Sequence, residues 1–501
     1  MTVLDHFIHE RPPRPARPTF WRWILAGGAS ALLVTLAACA PVGPDYQPPQ
    51  QELPASWSHS DTASAQPLPA EKLDRWWTLF DDPTLTSLIE RANRANPDMR
   101  IAAARIVQAR AQYRVTSAAQ LPGVTAQGDY SSSRKSANVP SSSSGSTQDL
   151  FQVNFDATWE VDVFGGIRRA REEAEARFGA ALENGSAIRI SLEAEVARNY
   201  LTLRGSQERL ATSLKNIDIL QQTLELAQGR FASGLGNRLE VTQAETQLNL
   251  SKAQLPSLQN TIGQTIQRLA LLLGLPPQGL TSELTASQPL PQLPLLLPQT
   301  LPSELLRRRP DIRQAERELA AATAAVGVAT AELFPHFSLT ALIGLQSNHL
   351  DNLLSTGSRY WSTGPAVRWS LFNGGQVRAN IDLQQGRREE IQAAYKKTVL
   401  TALNETESAI LALVSEAQTR AALVTAVTTS QRAVELASGR YRSGLTDFLE
   451  VLLSERTLFQ LQDQLLLSQQ QTAVNMVALF KALGGGWPLD TEPAPAVTAT
   501  P

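Results

Sequence analysis

A long internal repeat constrains the fold of this chain more than any other feature. LELAQGRFASGLGNRLEV (224–241) and VELASGRYRSGLTDFLEV (434–451) are identical at 11 of 18 positions, with a constant offset of 210 residues. Three further landmarks recur in the same order: NPDMR with RPDIR, WEVDVFGG with WSLFNGG, and LALLLGL with LFKALGG. A period this long excludes an array of short repeats. The sequence therefore predicts one structural unit that occurs twice.

The single cysteine, Cys39, ends a segment typical of a secretory signal. Four arginines precede an apolar run of about 16 residues, and Leu36-Ala37-Ala38-Cys39 follows. A basic region, a short apolar region and small residues before the cleavage site define such signals. The pattern favours a bacterial lipobox, with diacylglycerol and N-palmitoyl groups on Cys39, over a signal anchor with an incidental cysteine. Alanine rather than aspartate at position 40 favours the outer membrane.

Composition gives no sign of a nucleic-acid partner, because 45 basic and 47 acidic residues leave a net charge of −2. The five histidines are scattered and none has metal-ligand spacing. The chain lacks the motifs of zinc proteases, serine hydrolases, P-loop proteins and Rossmann enzymes. We therefore expect no catalytic residue, no metal and no cofactor beyond the lipid. After Cys39 there is no uninterrupted apolar run of the roughly 18–20 residues that a transmembrane helix needs. A membrane crossing would have to use the strands of a closed barrel.

Four segments read as strands. FQVNFDATWEVDV (151–163) alternates strictly for 13 residues, and a strand of that length measures ~43 Å, enough to cross a bilayer at a tilt. VTAQGDYSS (124–132) is a weaker partner, and the second copy carries 337–346 and 360–372. A soluble, half-buried sheet would show the same alternation. The polar loops within each strand pair favour a membrane barrel.

The remaining patterns are helical. One helix is predicted over 84–119 and its counterpart over 302–333, each ending before a proline. Beyond the glycine pairs 165–166 and 374–375, very long helices cover about 167–229 and 376–439, and return helices cover 239–273 and 449–483. A 60-residue helix spans ~90 Å, too long for a compact core. A seven-residue seam predicts a coiled coil, formed by Val196, Leu203, Leu210, Ile217 and Leu224. The repeated motif is then the tip of a helical hairpin.

These patterns divide the chain into six segments. They are a signal peptide with lipobox (1–38), a lipid-anchored extended segment (39–83), the first repeat (84–280), a proline-rich connector (281–301), the second repeat (302–485) and a tail (486–501). Each repeat is predicted to contain a helix, two strands (124–163 or 337–372) and a hairpin with its tip at 229–240 or 439–450.

Several stretches, taken together and in order, resemble outer-membrane efflux channels of the TolC/OprM type, in the lipoprotein branch that serves RND tripartite pumps. They include CAPVGPDYQPP (39–49), RWWTLFDDPTLTSLIERANRANPDMRIAAARI (75–106), LPSELLRRRPDI (301–312), both tips and LGGGW (483–487). The resemblance covers essentially the whole mature chain. It implies a mixed α and β fold: a trimeric transmembrane β-barrel, with four strands per protomer and twelve in total, continued by a long periplasmic α-helical coiled-coil barrel. Physical reasoning agrees, because four strands cannot close a barrel and eight would leave little bore.

The resemblance also implies a function and partners. The chain would be the exit duct of a tripartite efflux system, passing drugs or other small molecules to the exterior. Its partners would be two further copies in a homotrimer, a periplasmic adaptor (membrane fusion protein), a proton-driven inner-membrane RND pump and outer-membrane lipid. Two other readings stay open at this stage: a type I secretion channel for polypeptides, and a coiled-coil envelope lipoprotein that does not conduct.

The same resemblance assigns roles to residues of the two tips. Adaptor docking falls on Arg230, Ser233, Gly234, Leu235, Arg440, Ser443, Gly444 and Leu445. A periplasmic gate falls on Tyr441, Asp447, Leu449, Glu450, Leu453 and Arg456. Leu453 departs from the family pattern, which often has a second acid there, so a more apolar constriction is expected. Glu240 and Glu450 share a repeat position, and a solvated helix face is the alternative for either.

Overall fold

The computed structural model describes residues 40–50, 53–58, 66–67, 70–138, 145–291, 294–297 and 302–486. The signal segment, Cys39 and residues 487–501 lie outside this part of the chain. The chain forms two compact units. Of the described residues, the first unit contains those of 40–45, 114–173 and 323–385, and the second contains those of 46–113, 174–322 and 386–486.

The first unit is built on a four-stranded antiparallel sheet. Its strands are β1 (Gly123–Arg134), β2 (Thr147–Val161), β3 (His336–Ser347) and β4 (Arg359–Arg368), and they pair in that order. The four predicted strands are thus confirmed, with β2 and β3 joining the two repeats. Directly opposed residues share a face, so the register Phe155↔Ile343↔Trp361 defines an apolar face and Gln152↔Gln346 a polar one.

The last predicted strand, 360–372, was too long, since β4 ends at Arg368. The indole of Trp369, just past that end, donates to the carbonyl of Leu333 at 3.1 Å. Trp159 makes the matching bond to Gln120 at 3.0 Å in the first repeat. Trp369 therefore continues the apolar alternation of the sequence, but its side chain binds a carbonyl just after a helix and it lies outside the sheet.

Both predicted helices that lead to the sheet are interrupted. The first is divided into α1 (Pro83–Ala95) and α2 (Pro97–Ala118) at Asn96, whose backbone is extended at ψ 131°. The side-chain oxygen of Asn96 accepts from the backbone N–H of Asp98 at 2.7 Å, which starts α2 anew. The second repeat breaks at Arg309, between Leu305–Arg308 and α5 (Pro310–Ala331), after a 3-10 turn at Pro302–Glu304. In both copies the residue before a proline leaves the α region.

Two long helical hairpins follow, as predicted. The first consists of α3 (Gly166–Ala232) and α4 (Arg238–Leu272), and the second of α6 (Gln376–Arg442) and α7 (Phe448–Ala482). Matching helices have equal lengths, 67 and 35 residues, and start 210 residues apart. Val196, Leu203 and Leu224 of the predicted seam are buried.

The core of the second unit contains residues from α1, α3, α4, α6 and α7. Residues 39–83 were predicted to be extended, but Ala70–Phe80 forms a 3-10 helix. Its Trp76 is buried and stacks on Phe480 at 5.2 Å between ring centroids. The prediction failed because burial of aromatic side chains, not local periodicity, decides this segment. The connector contributes a short helix, Thr281–Leu284, and Leu296–Leu297, which pairs in parallel with Gln66–Pro67. Two 3-10 turns, Leu350–Asn352 and Thr356–Ser358, lie between β3 and β4.

Among the described residues, α6 alone is long and apolar enough to cross a membrane by length and composition. It contains an 18-residue window with mean hydropathy 1.3, of which 11% is buried. The window is apolar on average, but it is not an uninterrupted apolar run.

Candidate functional site

Each hairpin turns within a short tip, and the repeated Gly-Leu pair sets the geometry. Gly234 and Gly444 both adopt a φ of +72°, which is costly for any residue with a Cβ. The leucine after each glycine donates its backbone N–H to the carbonyl of the arginine five positions earlier, at 2.9 Å in both tips. This is the Schellman arrangement that ends helices. The strongest part of the sequence repeat thus encodes a turn.

We expect Gly444→Ala to destabilise the second tip by about 1 kcal/mol, because the alanine would be held at a positive φ. Space is not the obstacle, since no atom lies within 4 Å of the position that a Cβ would take. Gly444→Asn should cost less, as asparagine tolerates this region. Hydrogen exchange of the Leu445 amide measures the effect, with protection falling about fivefold in the alanine variant. Equal protection in all three proteins would show that φ is not the constraint.

Some of the predicted docking side chains form hydrogen bonds within the turns, and others are exposed to solvent. The hydroxyls of Ser233 and Ser443 donate to helix-terminal carbonyls at 2.9 and 3.1 Å. Each tip arginine also donates to the leucine carbonyl of its own turn, at 3.4 Å. Leu235 and Leu445 are 70% and 69% exposed. The serines and arginines therefore support the turns, and the two leucines are the exposed apolar side chains among the predicted docking residues.

The helices that leave the tips begin differently. Asn237 caps α4, because its side-chain oxygen accepts from the backbone N–H of Glu240 at 3.1 Å. Asp447 makes no such side-chain bond at the start of α7. Glu450 instead accepts a hydrogen bond from the Thr446 hydroxyl. The two glutamates that share a repeat position have therefore acquired different partners.

A polar link joins the two tips within the chain. The hydroxyl of Tyr441 donates to Glu240 Oε2 at 2.8 Å. The guanidinium of Arg230 lies over the Tyr441 ring, 4.6 Å from its centroid. Burial, followed by the hydrogen bond to Glu240, raises the pKa of Tyr441 to about 12. The phenol therefore remains a donor throughout the physiological pH range. Glu240 was not among the predicted site residues. It occupies the same repeat position as Glu450, and that equivalence does not predict a bond to Tyr441.

Apolar side chains from four helices surround this link and form what we call the tip core. Tyr441 packs on Phe448, with 5.4 Å between ring centroids. The tip core consists of Leu220, Leu224, Ala227, Ala244, Leu248, Ala437, Tyr441, Phe448 and Val451. It binds the second hairpin to the first, with members on both sides.

The predicted gate residues do not form one cluster. Leu449, Leu453 and Arg456 lie on one exposed face of α7, with Glu450 and Asp447 exposed beside them. Tyr441 is buried on the opposite side, in the tip core. Tyr441 therefore contributes to the buried contact between the hairpins, whereas the other five predicted gate side chains are exposed in the single chain.

Comparison with known proteins matches this architecture. Residues 88–275 and 301–485 match the family model described as outer membrane efflux protein. The chain is 32% identical to the solvent efflux pump outer membrane protein SrpC of Pseudomonas putida, covering 91% of this chain and 97% of that protein. It is 36% identical to the pyoverdine export outer membrane protein OpmQ of Pseudomonas putida strain KT2440, covering 87% and 93%. The solved outer-membrane channel OprN aligns with a TM-score of 0.85 at 34% identity, covering 89% and 99%.

These findings confirm the resemblance noted in the sequence, and such relatives are efflux channel proteins rather than enzymes. The predicted location in the outer membrane, reaching into the periplasm, is also confirmed. The chain belongs to the outer membrane efflux protein family, and it is the outer-membrane exit channel of a tripartite efflux system.

Proposed function

We propose that three copies of this internally duplicated chain form one gated conduit, with a twelve-stranded barrel and six hairpin tips. The sheet supports this, because β1 and β4 each pair on one side only among the described strands. Open edges in lipid leave backbone groups unpaired, and further copies would pair them. The apolar face of the sheet would contact outer-membrane lipid. Cys39, outside the described residues, would carry the diacylglycerol and N-palmitoyl anchor.

Helix packing supports a head-to-tail ring. Within the chain α5 packs along α3, where Arg313 pairs with Glu183 at 2.6 Å. The counterparts in the other repeat, α2 and α6, lack this contact. Val107 and Val115 of α2 are 65% and 66% exposed. The chain thus makes the contact between α5 and α3 internally, whereas the valine face of α2 stays exposed. Placing α2 of one copy on α6 of the next would repeat the packing of one helix along the other around a closed ring.

The second hairpin would carry the gate. In a ring, the exposed face of α7 would bring three copies of Leu449, Leu453 and Arg456 together, with Glu450 next to them. The bond between Tyr441 and Glu240 holds this hairpin against the first one. That bond is the observation on which the gate rests, because opening requires the hairpins to separate.

The tips and the relatives support the proposed partners. Leu235 and Leu445 are exposed at the ends of the hairpins, where a periplasmic adaptor would dock with support from the tip arginines and serines. No nucleotide-binding motif is present in the sequence, so a proton-driven inner-membrane RND pump would supply the energy. SrpC and OpmQ are named for solvent efflux and pyoverdine export. These names favour small molecules over polypeptides as the exported class.

Single-channel recording of purified protein in a planar bilayer tests the proposal. Wild-type protein should give discrete, cation-preferring steps, because three Glu450 carboxylates would face the constriction. Glu450→Ala should weaken the cation preference, and Leu453→Asp should change the resting conductance on the order of twofold. Both variants should remain trimeric by size-exclusion chromatography.

Unchanged conductance in both variants would remove these residues from the gate. A silent wild-type channel would leave two explanations, a sealed resting gate or a non-conducting tether. Adding an adaptor of the same system separates them, because only a sealed gate would then conduct.

A further inference from the structure

A carboxyl group is enclosed beside the tip core. Glu455 of α7 is only 3% exposed and follows Phe448 and Val451 on the same buried face. Its Oε1 accepts a hydrogen bond from the Thr223 hydroxyl of α3 at 3.0 Å. Its Oε2 is buried without a hydrogen-bond partner. A carboxylate in such a place is costly unless it is paired with a cation.

No cation of the described residues forms an ion pair with Glu455. Several charged side chains near the tip core are exposed, namely Asp218, Glu225, Glu245, Arg432, Glu435 and Arg456. Nearer the tip, Arg230 and Glu240 are engaged with Tyr441. Further along α7, Asp463 is already paired with Arg209 of α3, at 2.7 Å. Burial raises the pKa of Glu455, and the hydrogen bond from Thr223 offsets this only in part. The enclosed group is therefore stabilised as a neutral acid.

The first repeat provides an internal comparison. Glu245 lies 210 residues before Glu455, at the same repeat position, and it is exposed. The counterpart of Thr223 in the second repeat is Ala433. Only the glutamate of the second repeat is thus enclosed against the other hairpin. Water can reach it when α7 separates from α3, which is the movement that the proposed gate requires.

We infer that Glu455 couples opening of the tips to the release of a proton. In the closed packing the carboxyl keeps its proton, and on opening it becomes hydrated, ionises and releases that proton to bulk water. This inference rests on the proposed gate. Because the closed state binds the proton more tightly, closure is favoured at low pH and lost as the pH rises. The ratio of open to closed states should change up to tenfold per pH unit between the pKa values of the two states.

Thiol labelling tests the coupling without requiring conduction. Ala227 is fully buried in the tip core, so Ala227→Cys should react with a maleimide only when the tips open. Cys39 is the one other cysteine of the chain, and in the proposed mature protein its sulfur carries the lipid, so it offers no competing thiol. We would compare labelling rates of the Ala227→Cys background and of Glu455→Gln in it, from pH 5 to pH 8. The labelling rate of the background divided by that of the Glu455→Gln protein cancels the effect of thiol ionisation. This ratio should rise about tenfold from pH 5 to pH 8.

Two further variants sharpen the test. Glu245→Gln, the matched change at the exposed position, should behave as its background. Thr223→Val removes the one bond that favours the ionised carboxyl and should shift the pH midpoint upward. A Glu455→Gln protein with the pH dependence of its background would overturn the inference, as would a downward shift in Thr223→Val. If the wild type conducts but gives either of these results, the proton coupling is refuted and the conduit stands. If the wild type labels as expected but stays silent even with the adaptor, the conduit is refuted and the coupling stands.

Discussion

Tyr441→Phe is expected to raise the resting conductance of the channel tenfold or more. The change removes the hydroxyl that donates to Glu240 at 2.8 Å and keeps the ring that packs on Phe448. A hydrogen bond to a charged group contributes about 1.5–3 kcal/mol, and every 1.4 kcal/mol is about tenfold in an equilibrium. Three protomers would each lose this restraint. Single-channel recording and ion flux from liposomes would measure the effect.

The first repeat again supplies a matched control. Phe231 is the counterpart of Tyr441 and is partly exposed. Phe231→Tyr should leave conductance unchanged, because it alters the same repeat position without touching the link. Glu240→Gln retains an acceptor without charge, so its conductance should lie between wild type and Tyr441→Phe. If Tyr441→Phe conducts like wild type, the link does not restrain the gate.

The second large effect concerns the stability of the helical unit as a function of pH. Glu193 of α3 is fully buried, and its Oε1 accepts from Asn93 at 2.7 Å and from Arg189 at 2.9 Å. Burial raises the pKa of Glu193 from 4.5 to about 7, against the opposing effect of Arg189. The folded state therefore keeps a proton that the unfolded state releases. Stability should be lost as pH rises from about 4.5 to about 7, by up to about 3 kcal/mol.

Glu193→Gln should remove this part of the pH dependence, since the amide oxygen can still accept both hydrogen bonds. Thermal unfolding in detergent at pH 5 and pH 8 would compare the two proteins. At pH 8 the variant should unfold a few degrees above wild type, and at pH 5 the two should nearly coincide. Glu435→Gln, at an exposed position on α6, controls for loss of charge alone. Parallel pH profiles for wild type and Glu193→Gln would contradict the prediction.

The sequence predicted much of this architecture because duplication, heptad spacing and strand alternation are local patterns. The equal lengths of α3 and α6, and the turns at Gly234 and Gly444, follow directly from the repeat. The breaks at Asn96 and Arg309 were missed although both precede prolines, because the helical pattern continues on either side. The 3-10 helix at Ala70–Phe80 was missed because it depends on what Trp76 packs against.

The site was predicted less completely, for a physical reason. A repeated sequence indicates equivalent backbone positions, but the single chain places the two copies in different surroundings. Glu240 binds Tyr441 while Glu450 is exposed, and Glu455 is enclosed while Glu245 is not. The burial and the bonding partners of these glutamates depend on how the two repeats pack together. The periodicity within each repeat carries no information about that packing.

The length of α7 determines how little motion a gate at the tips would need. From Asp463, held by Arg209 through two hydrogen bonds, to Phe448 the helix covers ~22 Å at 1.5 Å per residue. A rotation of ~5° about that ion pair would carry the tip end of this lever arm by ~2 Å, on the scale of a hydrogen bond. Because the tip turn joins α7 to the end of α6, such a tilt would also draw Tyr441 away from Glu240 while helical geometry is kept. A small rotation of α7 is thus enough to replace a hydrogen bond at the tip.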